Sequence, residues 1–574
     1  MIKLKIKLVL IFLIFLFLPF SVWADYLGQK TNFFVEATYD TLQREQISAT
    51  LRRISPNLYF YFDDALWNSL NYDKKNKIEK AINDLADEFD NNIYPTLTSF
   101  FGSEWKPGID KDKRITVLIH PMKEDVRGYF KSSDEYPKLQ IPDSNEREMV
   151  YLNADYINSS LAKSFLAHEF THLITFNQKE RKYGRAEEIW LNEARSEYAP
   201  TLLGYDSDFE NSYLEERVKL FLENSSDSIT EWSNKISDYG ALNLFIQYLT
   251  EQYGPEILAD SLHLEEVGIL SIEKVLKERG FEEDFSQIFT NWTIAVLIND
   301  CQVSERYCYK NENLKDIYIV SRTNFLPLVG KSSLALNTTS QNWAGNWFKF
   351  VGGRDNLKIE FIGNPENIFV IPYITQDFFG KYSIGFFGLD EYQRGKIFVK
   401  DFRARYRWLV MIPTIQSKIS GFDGKEPFYP FFWEASVVKV EEIENEEEIE
   451  NKEEESKEED ILIKQLEEKI ELLKKEIAEV QAKIQAILKE KYNLVWQKLE
   501  KELYYGMKND EDVSCLQMFL KLKGKEIYPE GLVTGNFLEL TQAALKRYQV
   551  IKGIEENGFF DDLTRTAVNQ EMGY

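Results

Sequence analysis

Two of the four histidines in the chain lie in one short stretch, HEFTHLITFNQ, at residues 168–178. His168 and His172 are four residues apart, so on a helix they lie on one face and both imidazoles can reach one metal ion. The flanking residues are mostly apolar, which predicts a buried helix in which paired histidines need a partner. With 4 histidines in 574 residues, chance would produce H-E-x-x-H on the order of 0.003 times. The spacing therefore favours a zinc site over two hydrogen-bonded core histidines.

A catalytic zinc ion takes three protein ligands and keeps one position open. No histidine occupies the third position of the H-E-x-x-H-x-x-G-x-x-H pattern, which excludes the metzincin arrangement. Instead, EIWLNEARSEYAP follows at residues 188–200, with Glu193 lying 21 residues after His172 (193 − 172). Glu197 lies one helical turn after Glu193, so the two carboxylates share a helix face.

The segment WLNEARSEYA resembles the N-E-x-x-S-D segment of the gluzincins, the thermolysin-like and aminopeptidase-N-like zinc peptidases. It is also similar to the W-L-N-E-G-x-A-E-Y form of bacterial members, including hyicolysin-like enzymes. The resemblance covers roughly residues 110–300, and it implies that His168, His172 and Glu193 ligate one zinc ion per chain. The chain departs from the thermolysin pattern at Glu197, where thermolysin has the shorter aspartate.

The resemblance also implies roles for the neighbouring side chains. Glu169 would be the general base that takes a proton from a zinc-activated water and passes it to the leaving amine. Glu197 would orient a ligand imidazole, that of His168. SDYGALNLFIQYL is similar to the Y-E-K-G segment of aminopeptidase-type members, which assigns Tyr239 as the donor to the oxyanion. The alternatives are that His263 is the donor, or that Tyr239 only packs at a helix start.

The same comparison separates two kinds of peptidase. Aminopeptidases of this group recognise the amino group of the substrate with a G-x-M-E-N segment, and no such segment precedes Glu169. NEREMVYLN, at residues 145–153, is more like an edge strand along which an extended substrate pairs. These features favour an endopeptidase acting on a protein or peptide substrate.

The elements that would position these residues predict an α+β zincin catalytic domain at 25–312. Residues 25 to about 110 have a mostly helical pattern, followed by a strand region at about 110–155 and a helical lobe at about 200–300. In the strand region, RITVLIH and MVYLNA are the predicted strands, and the polar stretch between them is a predicted loop.

Three further regions follow the catalytic domain. Residues 313–440 contain short aromatic and β-branched runs separated by Gly, Asn and Asp, which predicts an all-β, sandwich-like accessory domain. Residues 441–508 predict an acidic linker and a coiled-coil helix. The heptad seam at 463–487 favours self-association or a helical stalk. The alternatives are a single helix that packs on its own chain and a helix that folds back as a hairpin.

The last region, 509–574, resembles the bacterial peptidoglycan-binding module, a small α-helical bundle. The matching features are Leu516-Gln517, the turn YPEGLVTGNF, and the runs LTQAALKRYQ and GFFDDLTRTAVN. Leu538 departs from the pattern because a glycine usually follows the aromatic residue of T-G-x-F. The resemblance implies peptidoglycan as a partner; the alternative is a bundle that binds another protein.

Composition limits the location and the partners. The net charge of −25 argues against nucleic acid, which needs a basic surface. Residues 1–24 combine three lysines, an apolar run and small residues before Ala24, which predicts a cleaved signal peptide, the alternative being an uncleaved anchor. Cys301 and Cys308 are close enough in sequence to pair, which would leave Cys515 as a small buried hydrophobe.

Taken together, these features predict a secreted zinc metallopeptidase held at the cell envelope of a bacterium. Two alternatives stay open. One is a non-catalytic wall-binding scaffold with a structural zinc ion, and the other is a hydrolase that cuts peptidoglycan cross-links with the same chemistry.

Overall fold

The computed structural model describes residues 24–233, 235–326, 333–353, 356–438, 483 and 497–574. The predicted signal peptide, apart from Ala24, and the predicted acidic linker and heptad helix up to residue 496, apart from Lys483, lie outside the described residues. The chain divides into two compact units, Met1–Ile443 and Glu444–Tyr574. Every helix in the described part of the chain is too short or too polar to cross a lipid bilayer.

A six-stranded sheet begins the first unit. Its strands are β1 (Lys30–Phe34), β2 (Gln46–Ile54), β3 (Leu58–Asp63), β4 (Ile115–His120), β5 (Gly128–Phe130) and β6 (Met149–Asn153). The order across the sheet is β1-β2-β3-β4-β6-β5. The three central strands β3, β4 and β6 run parallel and are buried along their length, as their continuous apolar and aromatic runs require. The short strand β5 pairs antiparallel with β6 and forms one edge.

Three local predictions for this region are wrong. The prediction of mostly helix from residue 25 fails at Lys30–Asp63, where β1 to β3 lie; alternating burial along β2 is the strand period that the helical interpretation missed. The predicted loop between RITVLIH and MVYLNA contains β5, which at three residues is too short to leave a periodic signal. MVYLN is not the edge strand, because β6 lies between β4 and β5.

Among the described residues, ten α-helices complete this part of the first unit. They are α1 (Asp64–Ser69), α2 (Tyr72–Glu88), α3 (Tyr94–Phe101), α4 (Ala162–Phe176), α5 (Ile189–Leu202), α6 (Tyr213–Glu223), α7 (Asp238–Tyr253), α8 (Glu256–Leu262), α9 (Gly268–Glu278) and α10 (Phe285–Ile298). One large apolar core joins one face of the sheet to these helices. Helix α4 lies inside this core, with nearly all of its side chains buried. The histidine motif is therefore held by packing on every side.

Two sheets and a short strand pair follow. One sheet has the order β13-β12-β15-β9-β7, the other β14-β10-β17-β8, and β11 pairs with β16. The strands are β7 (Arg322–Leu326), β8 (Ser333–Ser340), β9 (Phe348–Gly352), β10 (Asn356–Gly363), β11 (Phe369–Val370), β12 (Pro372–Asp377), β13 (Tyr382–Phe386), β14 (Arg394–Val399), β15 (Tyr406–Met411), β16 (Thr414–Ile415) and β17 (Tyr429–Val438). A one-turn helix, α11 (Phe402–Arg405), precedes β15. The two larger sheets share an aromatic core.

This β-rich part also packs against the helices of the first unit. Trp343 and Trp347 belong to the large helical core, and the Trp347 indole donates to the Thr293 carbonyl at 3.0 Å. The Gly421 amide donates to the Glu188 carboxylate at 2.6 Å, just before α5 begins. The β-rich part therefore supports the helix that carries Glu193.

The second unit is described for residues 497–574 and contains α12 (Glu511–Leu522), α13 (Glu539–Lys552) and α14 (Asp562–Met572). Its core includes Leu499 and Leu503, which precede the predicted domain start at 509. Cys515 is free and buried in that core, as predicted. In the first unit, Cys301 and Cys308 are joined by a disulfide.

Glu135 and Glu148 form a buried carboxyl pair near the start of β6. They are 3% and 2% exposed. Glu148 Oε1 accepts from the Ile109 amide at 2.7 Å, but the other three oxygens have no hydrogen-bond partner outside the pair. Burial raises the pKa of Glu148 to about 7, and burial with the Glu148 charge raises the pKa of Glu135. The folded protein thus binds more protons here than the unfolded chain. This contribution to stability is fully present below about pH 4.5 and is lost as pH rises through the raised pKa values, about 7 for Glu148.

Replacing Glu135 with Gln should stabilise the protein at alkaline pH. Because Gln carries no charge to bury and can donate to Glu148, we expect the thermal midpoint at pH 8 to rise by about 5 °C. The gain should be smaller at pH 5.5, where the native pair still holds its proton. Calorimetry at the two pH values tests this, with Glu282→Gln as the exposed control. A lower midpoint for Glu135→Gln at pH 8 would contradict the raised pKa values assigned to this pair.

Candidate metal centre

Helices α4 and α5 pack together and bring three metal-binding atoms to one point. His168 Nε2 lies 3.1 Å from His172 Nε2, and Glu193 Oε2 lies 3.3 Å and 3.7 Å from these two nitrogens. The Glu193 oxygen is buried and has no hydrogen-bond partner among the described residues. The structure brings together His168 and His172 of the motif and Glu193, the third ligand that the gluzincin resemblance implied.

The donor set and its spacing fit a zinc ion. Zinc binds imidazole nitrogen and carboxylate oxygen at about 2.0–2.2 Å in tetrahedral geometry, which separates neighbouring ligand atoms by about 3.3–3.6 Å. The observed separations of 3.1–3.7 Å lie close to that range. A cation between the three atoms would also explain why a buried carboxylate oxygen has no donor.

The second nitrogen of each imidazole is held by neighbouring side chains. His172 Nδ1 lies 3.1 Å from Asn192 Oδ1 and 3.2 Å from Ser196 Oγ. His168 Nδ1 lies 3.3 Å from both Glu197 Oε1 and the Tyr213 hydroxyl. These contacts fix the ring orientations, so both Nε2 atoms point at the same spot.

Glu197 is the centre of a buried charged network. Arg217 donates from Nε to Oε2 at 2.7 Å and from a terminal nitrogen to Oε1 at 3.0 Å. Tyr213 also donates to Oε1, and Asn243 donates to Oε2 at 3.1 Å. Burial alone would raise the pKa of Glu197, but the Arg217 charge and the hydrogen bond to His168 hold that pKa far below its usual value.

The buried carboxylates in turn raise the pKa of His168. Burial opposes its positive charge, yet the carboxylates of Glu193 and Glu197, each 3.3 Å from a ring nitrogen, outweigh this effect and raise the pKa to about 10. The site is therefore strongly attractive to positive charge at neutral pH.

Tyr213, Arg217 and Asn243 are the residues of this network that the sequence analysis missed. Tyr213 and Arg217 lie four residues apart on α6, so they share a helix face, and this spacing is the one signal available in the sequence. Nothing local connects them to Glu197, because the contact forms only when α5, α6 and α7 pack.

Glu169 faces the edge of the sheet. A Cβ atom built on Gly128 of β5 would lie 2.9 Å from Glu169 Oε1 and 2.7 Å from the Tyr151 carbonyl oxygen. Only glycine therefore lets β5 approach the carboxylate so closely. Burial raises the pKa of Glu169 to about 8, although the charge of His168 opposes that rise.

A cleft of about 260 Å³ opens onto this site. Glu169, His168 and Tyr239 lie on its wall, together with polar residues from the segment before β5. The Tyr239 ring is 6.3 Å from the His168 ring, between centroids, and the Arg217 guanidinium lies 4.8 Å from the Tyr239 ring centroid. His263 lies beside Gly102 instead, and it is not among the residues that line the cleft.

Comparison with known proteins shows a distant similarity to a protease. The chain is 25% identical over 248 residues to the neutral metalloprotease ShpI of Staphylococcus hyicus, an alignment that covers 38% of this chain and 53% of that protein. The chain thus spans about half the length of this relative. No protein-family model matches the chain. A family GH115 4-O-methyl-α-glucuronidase is matched over 56% of this chain and 51% of that one, at 9% identity and a TM-score of 0.13, too low to compare folds.

Replacing Arg217 with Met should destabilise both the fold and the metal site. The change leaves the buried Glu197 carboxylate without its main counter-charge, and loss of one partner of a buried pair costs about 3–5 kcal/mol. We expect a thermal midpoint at least 8 °C lower and a reduced zinc content by elemental analysis.

The matched control is Lys219→Met on the same helix, because the Lys219 side chain is 63% exposed. Its midpoint and zinc content should stay at the parent values. An Arg217→Met protein with an unchanged midpoint would show that the ion pair does not support α5.

Proposed function

We propose that the chain is an exported zinc-dependent endopeptidase of the gluzincin type, retained at the bacterial cell wall. In this proposal residues 25–312 form a zincin-type peptidase domain, 313–440 an accessory β domain and 509–574 a wall-binding module. The similarity to a neutral metalloprotease supports the peptidase assignment for the part of the chain that it covers.

One observation carries the proposal: His168, His172 and Glu193 converge within 4.8 Å around an unpartnered carboxylate oxygen, beside a cleft that holds Glu169. A structural zinc site usually closes all four positions with protein ligands. Among the described residues only three donors meet here, and a separate carboxylate, that of Glu169, remains free to act on substrate. This arrangement favours a catalytic site over a structural one.

The residues have separate tasks in peptide hydrolysis. The chemistry that a zinc ion supplies in such a site is polarisation of a carbonyl group and a lower pKa for water. Glu169 would accept the proton of the attacking water and return it to the leaving amine. The positive charge of a metal at this position would lower the pKa of Glu169, so that the carboxylate form is present at neutral pH. Tyr239 would donate its hydroxyl hydrogen to the oxygen of the former carbonyl.

The open edge of the sheet offers a binding mode for an extended peptide. Strand β5 lies at the end of the sheet and against α4, and the Phe130 ring lies parallel to the His172 imidazole at 6.5 Å. A substrate strand that added to this edge would carry its scissile bond past Glu169. Because an added strand can extend in both directions along an edge, this mode supports cleavage within a chain.

Replacing Glu169 with Gln should abolish turnover while the metal stays. Gln cannot accept the proton but has the same shape, and none of the three candidate ligands is altered. We expect casein hydrolysis to fall by about 10²-fold or more, with zinc near one ion per chain by elemental analysis. Purified peptidoglycan is assayed in parallel, with and without a chelator, to separate a peptidase from a cross-link hydrolase.

The exposed substitution Glu282→Gln is the control and should leave hydrolysis unchanged. Near-normal cleavage by zinc-loaded Glu169→Gln would mean that another group is the base. Zinc binding without any chelator-sensitive hydrolysis in the parent protein would favour the scaffold alternative.

The second unit is proposed as the wall-binding part. The Gln517 side chain accepts from the amides of Thr534 and Gly535, at 2.7 Å and 3.0 Å, and so anchors the YPEGLVTGNF turn to α12. Gly535 has a φ of +71° in that turn, a conformation that glycine adopts without strain. A rigid turn on a helical bundle supports a role in ligand binding, for which peptidoglycan is proposed on the resemblance of the sequence.

Deleting this unit should release the protein from insoluble peptidoglycan. Because Leu499 and Leu503 belong to the core of the helical bundle, the matched truncation keeps residues 25–496 and removes residues 497–574. We expect the full mature chain to sediment with peptidoglycan and the truncated chain to stay in the supernatant. Equal retention of the two proteins would contradict the wall-binding assignment.

A further inference from the structure

The loop between α6 and α7 gathers three carboxylates away from the candidate zinc ligands. The side-chain oxygens of Asp227, Glu231 and Asp238 come within 4.8 Å of one another. Asp238 and Glu231 are buried, at 1% and 5% exposed, while Asp227 reaches partly into solvent. Three like charges this close repel each other strongly unless something positive lies between them.

Asp238 provides an independent sign of a missing partner. Its Oδ2 accepts from the backbone amides of Ser233 and Lys235, at 2.8 Å and 3.0 Å, which closes the turn before α7. Its Oδ1 is buried and has no hydrogen-bond partner among the described residues. Leaving a carboxylate oxygen buried and unpaired is unfavourable by several kcal/mol.

The surrounding groups add negative charge. One carboxylate oxygen of Glu426 is also buried and has no hydrogen-bond partner among the described residues. Burial and the nearby charges of Asp423 and Glu231 raise the pKa of Glu426, although its ion pair with Lys418 at 2.6 Å opposes the rise. Burial raises the pKa of Asp238 to about 6, and the charges of Asp227 and Glu231 add to this. In the described part of the chain, Asp227, Glu231 and Asp238 form no ion pair with a lysine or arginine.

We propose that Asp227, Glu231 and Asp238 bind a calcium ion. The ligand set contains only oxygen, which hard cations prefer and which zinc sites rarely use alone. Two ligands come from an irregular loop and the third, Asp238, from the first residue of α7. Calcium accepts such variable geometry better than magnesium does. Backbone carbonyls and water would complete the coordination on the side where Asp227 meets solvent.

The bound calcium ion would order the loop that forms one wall of the cleft. Trp232 follows Glu231, donates its amide to the Gly424 carbonyl at 2.9 Å, and packs edge-on against Tyr239 with 4.9 Å between ring centroids. Asp238 is the residue directly before Tyr239. If Tyr239 acts in hydrolysis as proposed above, calcium would act through it as a positioning element; calcium binding itself does not depend on that role.

The test measures calcium-dependent stability in an inactive protein. Full-length, zinc-loaded Glu169→Gln is used as the parent, so that self-digestion cannot affect the result. We expect 1 mM calcium chloride to raise its thermal midpoint by about 5 °C relative to calcium-free buffer. Adding Asp238→Asn should remove that rise, while adding Asp208→Asn, an exposed residue in an earlier loop, should preserve it.

A second measurement guards against a variant that simply folds badly. In calcium-free buffer, Asp238→Asn should melt at the same temperature as the parent or higher, because it relieves charge repulsion. Terbium luminescence excited through tryptophan gives a direct readout, and it should be lost in Asp238→Asn and in Trp232→Phe but kept in Asp208→Asn. The acidic run at 441–460 can bind cations weakly, so only differences between these variants count.

Three results would overturn the proposal. They are no calcium-dependent rise in the parent at 1 mM, an equal rise in Asp238→Asn, or an equal rise with 1 mM magnesium chloride. Since no readout involves peptide hydrolysis, these outcomes leave the proposed peptidase activity to its own test.

Discussion

The buried contact between Glu197 and Arg217 is the interaction on which the candidate metal centre depends. It joins α5 to α6, and the same carboxylate reaches His168 at 3.3 Å. A buried carboxylate without a counter-charge would take up a proton or disrupt its surroundings. Because Arg217 holds it ionised, Glu197 can orient His168 and leave the outer nitrogen free for a metal. The position of Glu193, one turn earlier on α5, follows from the same packing.

The sheet imposes the second constraint. Its three parallel strands are buried on both faces, so they form a rigid layer against which α4 packs. Strand β5 forms one edge of this sheet, and Gly128 lets it come against Glu169. Because Gly128 has no side chain, β5, the strand to which a substrate would pair, lies directly beside the proposed base, Glu169. The β-rich part also contacts the helical part of the unit: Gly421 binds Glu188 just before α5, and Trp347 binds Thr293 of α10.

Much of the fold could be predicted from the sequence where the pattern was long. The helical patterns of α2, α4 and α7, the apolar, β-branched runs of β4 and β6, and the change to short aromatic runs after residue 313 all correspond to elements of the structure. The errors lie where the signal was short or ambiguous. Strand β5 has three residues, and the apolar, aromatic run of β3 has no alternation to separate it from a buried helix.

The sequence by itself determined two candidate metal ligands, His168 and His172, since helix geometry places residues four apart on one face and H-E-x-x-H is rare by chance. The resemblance to the gluzincins implied the third, Glu193. The sequence also determined that Glu193 and Glu197 share a face. Only the tertiary structure decided what surrounds them: Arg217 and Tyr213 on Glu197, Gly128 on Glu169, and Asp238 beside Asp227 and Glu231. The physical reason is that backbone periodicity is a local property, whereas the burial of a charge and the identity of its partner depend on how distant segments pack.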